Sequence, residues 1–224
     1  MEAIQRFIFT FSVIPVVVAA LIGLVRYRRL GLVQRYLLAL TLLALLVETI
    51  ARTLAHYKRP NLFLAPIDAV LEFTLLGLMY REALRPSPLS RIMLWLIGLF
   101  VLGTVLTYSP RLDTVQFSPV QHFIESVLVL AFVGQFFYQE MTRPVVTSAL
   151  EHKPMFWVST GLLLYFLSSM FIFLTSNYIL QLSVEISRQV WAIHALLYAF
   201  LNILYALALS LPARQPPALG VTQS

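Results

Sequence analysis

The chain has 224 residues, of which 59% are hydrophobic and 12% charged, a net charge of +6 and a mean hydropathy of +0.83. Soluble domains run near ~45–50% apolar and ~25% charged, so this composition excludes an ordinary soluble domain and points to a membrane protein. Cysteine is absent, which excludes disulfides, thiolate metal ligands and a cysteine nucleophile.

A bilayer core about 30 Å thick needs about 20 apolar residues of helix. Seven stretches meet this in chain order: 7–25, 34–56, 62–80, 91–108, 119–138, 155–175 and 189–211. The first contains Pro15 and no small-residue cleavage site before Arg26, so it reads as a helix kinked at Pro15 and not as a cleaved signal. Ser87-Pro88 precedes the fourth helix. Ser118-Pro119 opens the fifth, with Gln121 at capping-box spacing from Ser118. Lys153-Pro154 opens the sixth, and Pro212 closes the seventh. The expected fold is all-α: one seven-helix transmembrane domain over residues 1–211, then a disordered tail over 212–224 that includes Pro216-Pro217.

Basic residues set the orientation. With the N-terminus outside, Arg26, Arg28, Arg29 and Arg35 fall on the cytoplasmic side, joined by Arg81, Arg85, Arg91, Arg143, Lys153 and Arg214. The other six, Arg6, Arg52, Lys58, Arg59, Arg111 and Arg188, fall outside or near the outer face. Arginine-rich early loops favour this arrangement, which leaves the C-terminus cytoplasmic. The positive charge then reads as basic loops facing anionic lipid, not as a nucleic-acid surface. Most acids fall on the outer side or in the membrane; only Glu82, Glu140 and Glu151 lie inside.

Ionisable residues within a span cost about 2.5–3.5 kcal/mol at mid-helix on insertion scales and need partners or water. Glu48, Arg52 and His56 recur at every fourth position of the second helix, on one face. The third carries Asp68 and Glu72, and the fifth His122 and Glu125. On the seventh, Arg188, Trp191, His194, Tyr198, Asn202 and Tyr205 form one stripe. Glu72 and Glu125 each lie six positions past a proline that opens an inward-running helix, roughly 9 Å deep by helical rise. His194 falls at a similar level. A polar pocket in the outer half of the membrane is therefore expected from Glu48, Arg52, Glu72, Glu125, His194, Tyr198 and Asn202. Its ligand would be a small polar molecule or a lipid headgroup.

Blander roles stand beside this reading. Glu48 and Arg52 also make sense as an internal salt bridge, and the seventh-helix stripe as polar packing between helices. Lys58, Arg59 and Asp113 read as loop charges, His152 as incidental. Trp95, Trp157, Tyr108 and Tyr178 read as interfacial belts.

His56, His122 and His194 with Glu72 or Glu125 are also the right residue types for Zn²⁺. A metal-dependent lipid hydrolase is thus an alternative, with His122, Glu125, His194 and Glu72 as ligands and His56 too near the surface. Seven-helix zinc hydrolases and progestin-receptor-like proteins, however, carry a His pair four apart on their closing helix, where this chain has His194 and Tyr198. A retinal Schiff base is excluded, since the only lysines are Lys58 and Lys153. There is no phosphate-binding Gly loop and no nucleophile elbow, and only Pro15 suggests the broken helix of a transporter.

The runs Trp157-x3-Gly161-Leu-Leu-Leu-Tyr165-Phe166 and Trp191-x2-His194-Ala195, with Asn202-Ile203-Leu204-Tyr205, resemble a group of small uncharacterised bacterial membrane proteins. The likeness includes Glu48 and the Pro-x5-Glu of the third helix. It implies a seven-helix architecture in a bacterial inner membrane and no particular activity. At fold level the layout is also similar to membrane input regions of sensor kinases, although no kinase or output domain is present in this chain. The leading expectation is a receptor-like module without a cofactor, acting through a cytoplasmic signalling partner; the third alternative is a structural or assembly role.

Overall fold

The computed structural model describes residues 8, 11–109, 119–142, 150–175, 178–179 and 183–213. Among the described residues there are seven α-helices and no strand. They are α1 (Ile14–Val25), α2 (Leu32–His56), α3 (Leu64–Ala83), α4 (Pro88–Thr107), α5 (Pro119–Thr142), α6 (Pro154–Leu174) and α7 (Val184–Ser210). Two short 3-10 turns, Tyr27–Arg29 and Leu150–His152, precede α2 and α6.

Local chemistry accounts for most helix ends. Ser87 caps α4 by accepting from the Ser90 N–H at 3.1 Å, with Pro88 in the first turn. Ser183 accepts from the Ile186 N–H at 3.3 Å, so α7 starts five residues before the expected position 189. That extra stretch is polar, which is why hydropathy alone missed it. Pro15 does not kink a continuous helix. The chain turns at Ser12 and Val13, and Pro15 sits in the first turn of α1, where its missing N–H leaves no hydrogen bond unmade. The cap expected of Ser118, the loop charges Arg111 and Asp113, and the tail beyond Ala213 lie outside the described residues.

Five helices are long and apolar enough to cross a membrane: α2, α4, α5, most of α6 and nearly all of α7. α1 has twelve residues and falls short by length, whereas α3 carries Asp68, Glu72, Arg81 and Glu82. Apolar surface faces outward on a scale that water would not tolerate. On α4 alone Trp95 is 76% exposed and Leu106 75%, with Leu94, Leu99, Leu102 and Val105 on the same outward surface.

The helices pack as a ring in the order α1, α2, α3, α5, α6, α7 and back to α1, with α4 lying outside against α3. α1 stands between α2 and α7 in this ring, and direct contact between α2 and α7 is sparse. One layer of the interior is aromatic: Phe73 stacks on Phe100 at 4.4 Å and on Phe132 at 5.8 Å, joining α3, α4 and α5. Small residues let helices approach closely. A Cβ on Gly23 would stand 2.6 Å from Leu38 of α2 and 3.4 Å from Leu209 of α7.

Buried side chains tie the two ends. At the end nearest residues 57–63, Gln121 of α5 donates to Pro66 O of α3 at 3.1 Å and to Thr104 Oγ1 of α4 at 3.0 Å. Its amide therefore clamps three helices. At the other end Gln34 donates to Ala208 O at 2.9 Å and Leu211 O at 3.0 Å, and Lys153 pairs with Glu140. Exposed Trp95 and Tyr178 fit the interfacial reading, while Trp157 donates to Glu151 O at 2.8 Å.

Candidate functional site

A cavity of about 300 Å³ lies between α2, α3, α6 and α7. The fourfold spacing on α2 aims Glu48 and Arg52 into it, and the same spacing on α3 aims Asp68 and Glu72. From α7 come Trp191, His194, Tyr198, Asn202 and Tyr205, one stripe at helical period. A wider recess lined by Asn61, Ser187 and Arg188 shares Glu48, Asp68 and Trp191 with this cavity, so the two are continuous toward the 57–63 end.

The walls differ in chemistry. On α2, Arg52 Nε bonds Glu48 Oε1 at 2.6 Å. On the facing wall the His194 ring lies between two hydroxyls of α6, with Nε2 3.4 Å from Tyr165 Oη and Nδ1 3.3 Å from Ser169 Oγ. A neutral imidazole donates from one nitrogen and accepts at the other, and a hydroxyl suits either role. Aromatic rings surround it: Tyr165 at 5.5 Å and Trp191 at 5.7 Å between centroids, with Tyr198 6.1 Å from Tyr165. Asn202 donates to Tyr198 O at 2.9 Å, which ties its amide back to its own helix.

On α3 neither the Asp68 nor the Glu72 carboxyl group has a hydrogen bond or ion pair with another described residue. Deeper in, Tyr205 is 3% exposed and its hydroxyl lacks a hydrogen-bond partner among the described residues. Unsatisfied polar groups in a low-dielectric interior cost free energy unless water or a ligand meets them.

Of the seven residues expected to line a pocket, Glu48, Arg52, Glu72, His194, Tyr198 and Asn202 face this cavity. Glu125 is not among its lining residues. It is 1% exposed, and its Oε2 sits 3.2 Å from His122 Nδ1 on the same helix. The Asp68, Glu72 and Glu125 carboxyl groups nonetheless lie within electrostatic range of one another. Asp68, Tyr165 and Trp191 belong to the cavity although the expected set omitted them. The Asp68–Glu72 spacing was the available signal for the first, and the Trp191-to-Asn202 stripe for the last. Nothing in the α6 pattern singled out Tyr165.

The His/Glu metal set does not assemble. Among the described residues no three His, Asp or Glu side chains form a group able to hold a metal ion. His122 Nδ1 is turned to Glu125 of its own helix and the His194 nitrogens to the α6 hydroxyls, so the two imidazoles, although within electrostatic range of one another, do not converge on one point. His56 is exposed beside Tyr57.

Compared with protein families, curated proteins and solved structures, the chain matches no family model, no curated protein and no solved structure.

Proposed function

We propose that the chain is a seven-span, multi-pass protein of a bacterial inner membrane, with its N-terminus outside, acting as a receptor-like, ligand-binding module. The observation that carries the reading is the cavity itself. It joins acids from α2 and α3 to an imidazole, phenols and an indole from α6 and α7. Largely apolar pockets with a few convergent polar groups are the common form of small-molecule sites. About 300 Å³ suits a small polar molecule or a lipid headgroup.

Seven crossings follow if α1 and α3 span together with the five apolar helices. α1 packs against α2 and α7, and α3 against α2, α4 and α5, so both are flanked by helices that cross. The acids of α3 turn to the cavity, which relieves their cost in lipid. The arginines at 26–35 support a cytoplasmic position for the opposite end of the bundle, where a signalling partner would dock, and with it an outer-half position for the cavity. This layout is in keeping with the resemblance to small seven-helix bacterial membrane proteins.

The test is thermal unfolding of the full chain in mild detergent with a panel of polar compounds, for the native chain and for Ala44→Phe, which fills the cavity. Saturable stabilisation of the native chain, lost in Ala44→Phe, is the expected result. Equal response of both chains to every compound overturns the reading in favour of polar residues that only pack helices.

A further inference from the structure

Charge and shape together narrow the ligand class. Arg52 is engaged with Glu48, which leaves Asp68 and Glu72 as two carboxyl groups facing the cavity without a hydrogen bond or ion pair to another described residue, the His122 imidazole lying within electrostatic range of Asp68. Among the described residues that line the cavity, an anion would meet both of these acids and one guanidinium, itself already bonded. A neutral polar molecule would meet these acids only in their protonated form, whereas a cation supplies the counter-charge that keeps them ionised in low dielectric.

The opposite wall is aromatic. Tyr165, Tyr198 and Trp191 present rings to the same space as the acids. The faces of such rings attract cations, Trp most strongly, and the attraction grows when the cation is desolvated. A bare metal ion has little use for this wall, and no metal-holding group of side chains exists among the described residues. The Tyr205 hydroxyl adds an independent sign of a missing partner. It is almost wholly buried, lines the cavity and has no hydrogen bond to another described residue. Its oxygen can accept from an N–H donor, which the neighbouring acids also attract.

We infer that the cavity takes an organic ammonium group, held between the Asp68 and Glu72 carboxylates and the rings of Tyr165, Tyr198 and Trp191, with Tyr205 Oη at its floor. This rests on the cavity being a ligand site, as proposed above. Primary ammonium groups gain most, because they donate to the carboxylates and to Tyr205 at once. The same group occurs on free amines and on aminophospholipid headgroups.

Binding to the full chain in lipid-depleted, uncharged detergent is measured by calorimetry and thermal unfolding with ethanolamine and phenethylamine, against ethylene glycol, phenylethanol and acetate as uncharged or anionic controls. A second arm uses nanodiscs of phosphatidylethanolamine or phosphatidylglycerol, with retained lipid read by native mass spectrometry. Saturable binding of the free amines identifies a soluble ligand. Retention of phosphatidylethanolamine alone, displaced by neither control, identifies a headgroup. Either supports the inference, provided Asp68→Asn and Glu72→Gln each weaken binding at least about tenfold, the order expected for losing one charged hydrogen bond. Tyr205→Phe, which keeps the ring and the packing, should weaken primary amines more than choline, which has no N–H. Stabilisation by the controls but not the amines overturns the ammonium assignment and leaves the cavity a ligand site. No binding of amines, controls or lipid overturns both.

Discussion

Arg52 Nε lies 2.6 Å from Glu48 Oε1, one turn apart on α2, and the two side chains keep 46% and 33% of their surface exposed. That exposure separates two outcomes. A pair cut off from water costs about 3–5 kcal/mol when one partner is removed, whereas solvated helix pairs couple by about 0.3–0.5 kcal/mol. Arg52→Gln should therefore lower stability by under ~1 kcal/mol. A double-mutant cycle with Glu48→Gln, read by detergent-induced loss of helicity, checks it. A coupling of several kcal/mol would show a pair sealed from solvent.

Tyr80 Oη and Ser159 Oγ stand 2.8 Å apart with both residues fully buried, linking α3 to α6. Ser159→Ala strands a phenol hydroxyl in the core and should cost about 1–2 kcal/mol. Tyr80→Phe leaves a serine that can turn back to its own helix carbonyl, so its cost should be smaller, near ~0.6 kcal/mol. Unfolding of both variants under the same conditions tests the order, which would invert if another group held the serine hydroxyl.

Gln34 fastens the start of α2 to the last turn of α7 through two carbonyls, and Arg26 adds a longer bond to Leu211 O at 3.4 Å. Gln34→Leu should cost about 1–2 kcal/mol. Hydrogen exchange should quicken over residues 206–211 and stay unchanged around His194. Acceleration spread evenly over α7 would mean that the bond governs the whole helix.

Orientation is testable without any ligand. Reporter fusions after Arg29, Pro86 and Thr147 should read as cytoplasmic, and those after Arg59 and Asp113 as external. The reverse pattern would put the cavity in the inner half of the bilayer and remove an extracellular ligand from consideration.

Metal dependence has its own measurement. With His122 and Glu125 on α5 and His194 turned toward α6 hydroxyls, a chelator should leave the unfolding temperature of the purified chain unchanged, as should added Zn²⁺. Saturable stabilisation by zinc, lost in His122→Ala, would require further side chains to turn onto the pair, and would revive the hydrolase alternative.

Hydropathy and helical period made the seven helices legible, because long apolar runs can satisfy their backbones in lipid only as helices. The same period showed which polar residues share a face: Glu48 with Arg52, Asp68 with Glu72, and the stripe from Trp191 to Tyr205. Spacing along one helix says nothing about which helix stands beside it. Equal depth made Glu125 look like a member of the pocket, yet Glu125 is buried against His122 on its own helix. The capping-box spacing of Gln121 gave no sign that it reaches two other helices, since its amide meets Pro66 O and Thr104 Oγ1 only after α3, α4 and α5 have packed. The sequence by itself determined the helices and their polar faces, through local backbone and solvation energetics. The tertiary structure alone decided the ring order, which encloses a cavity between α2, α3, α6 and α7 and turns His194 to the hydroxyls of α6, because helix adjacency depends on how whole surfaces fit.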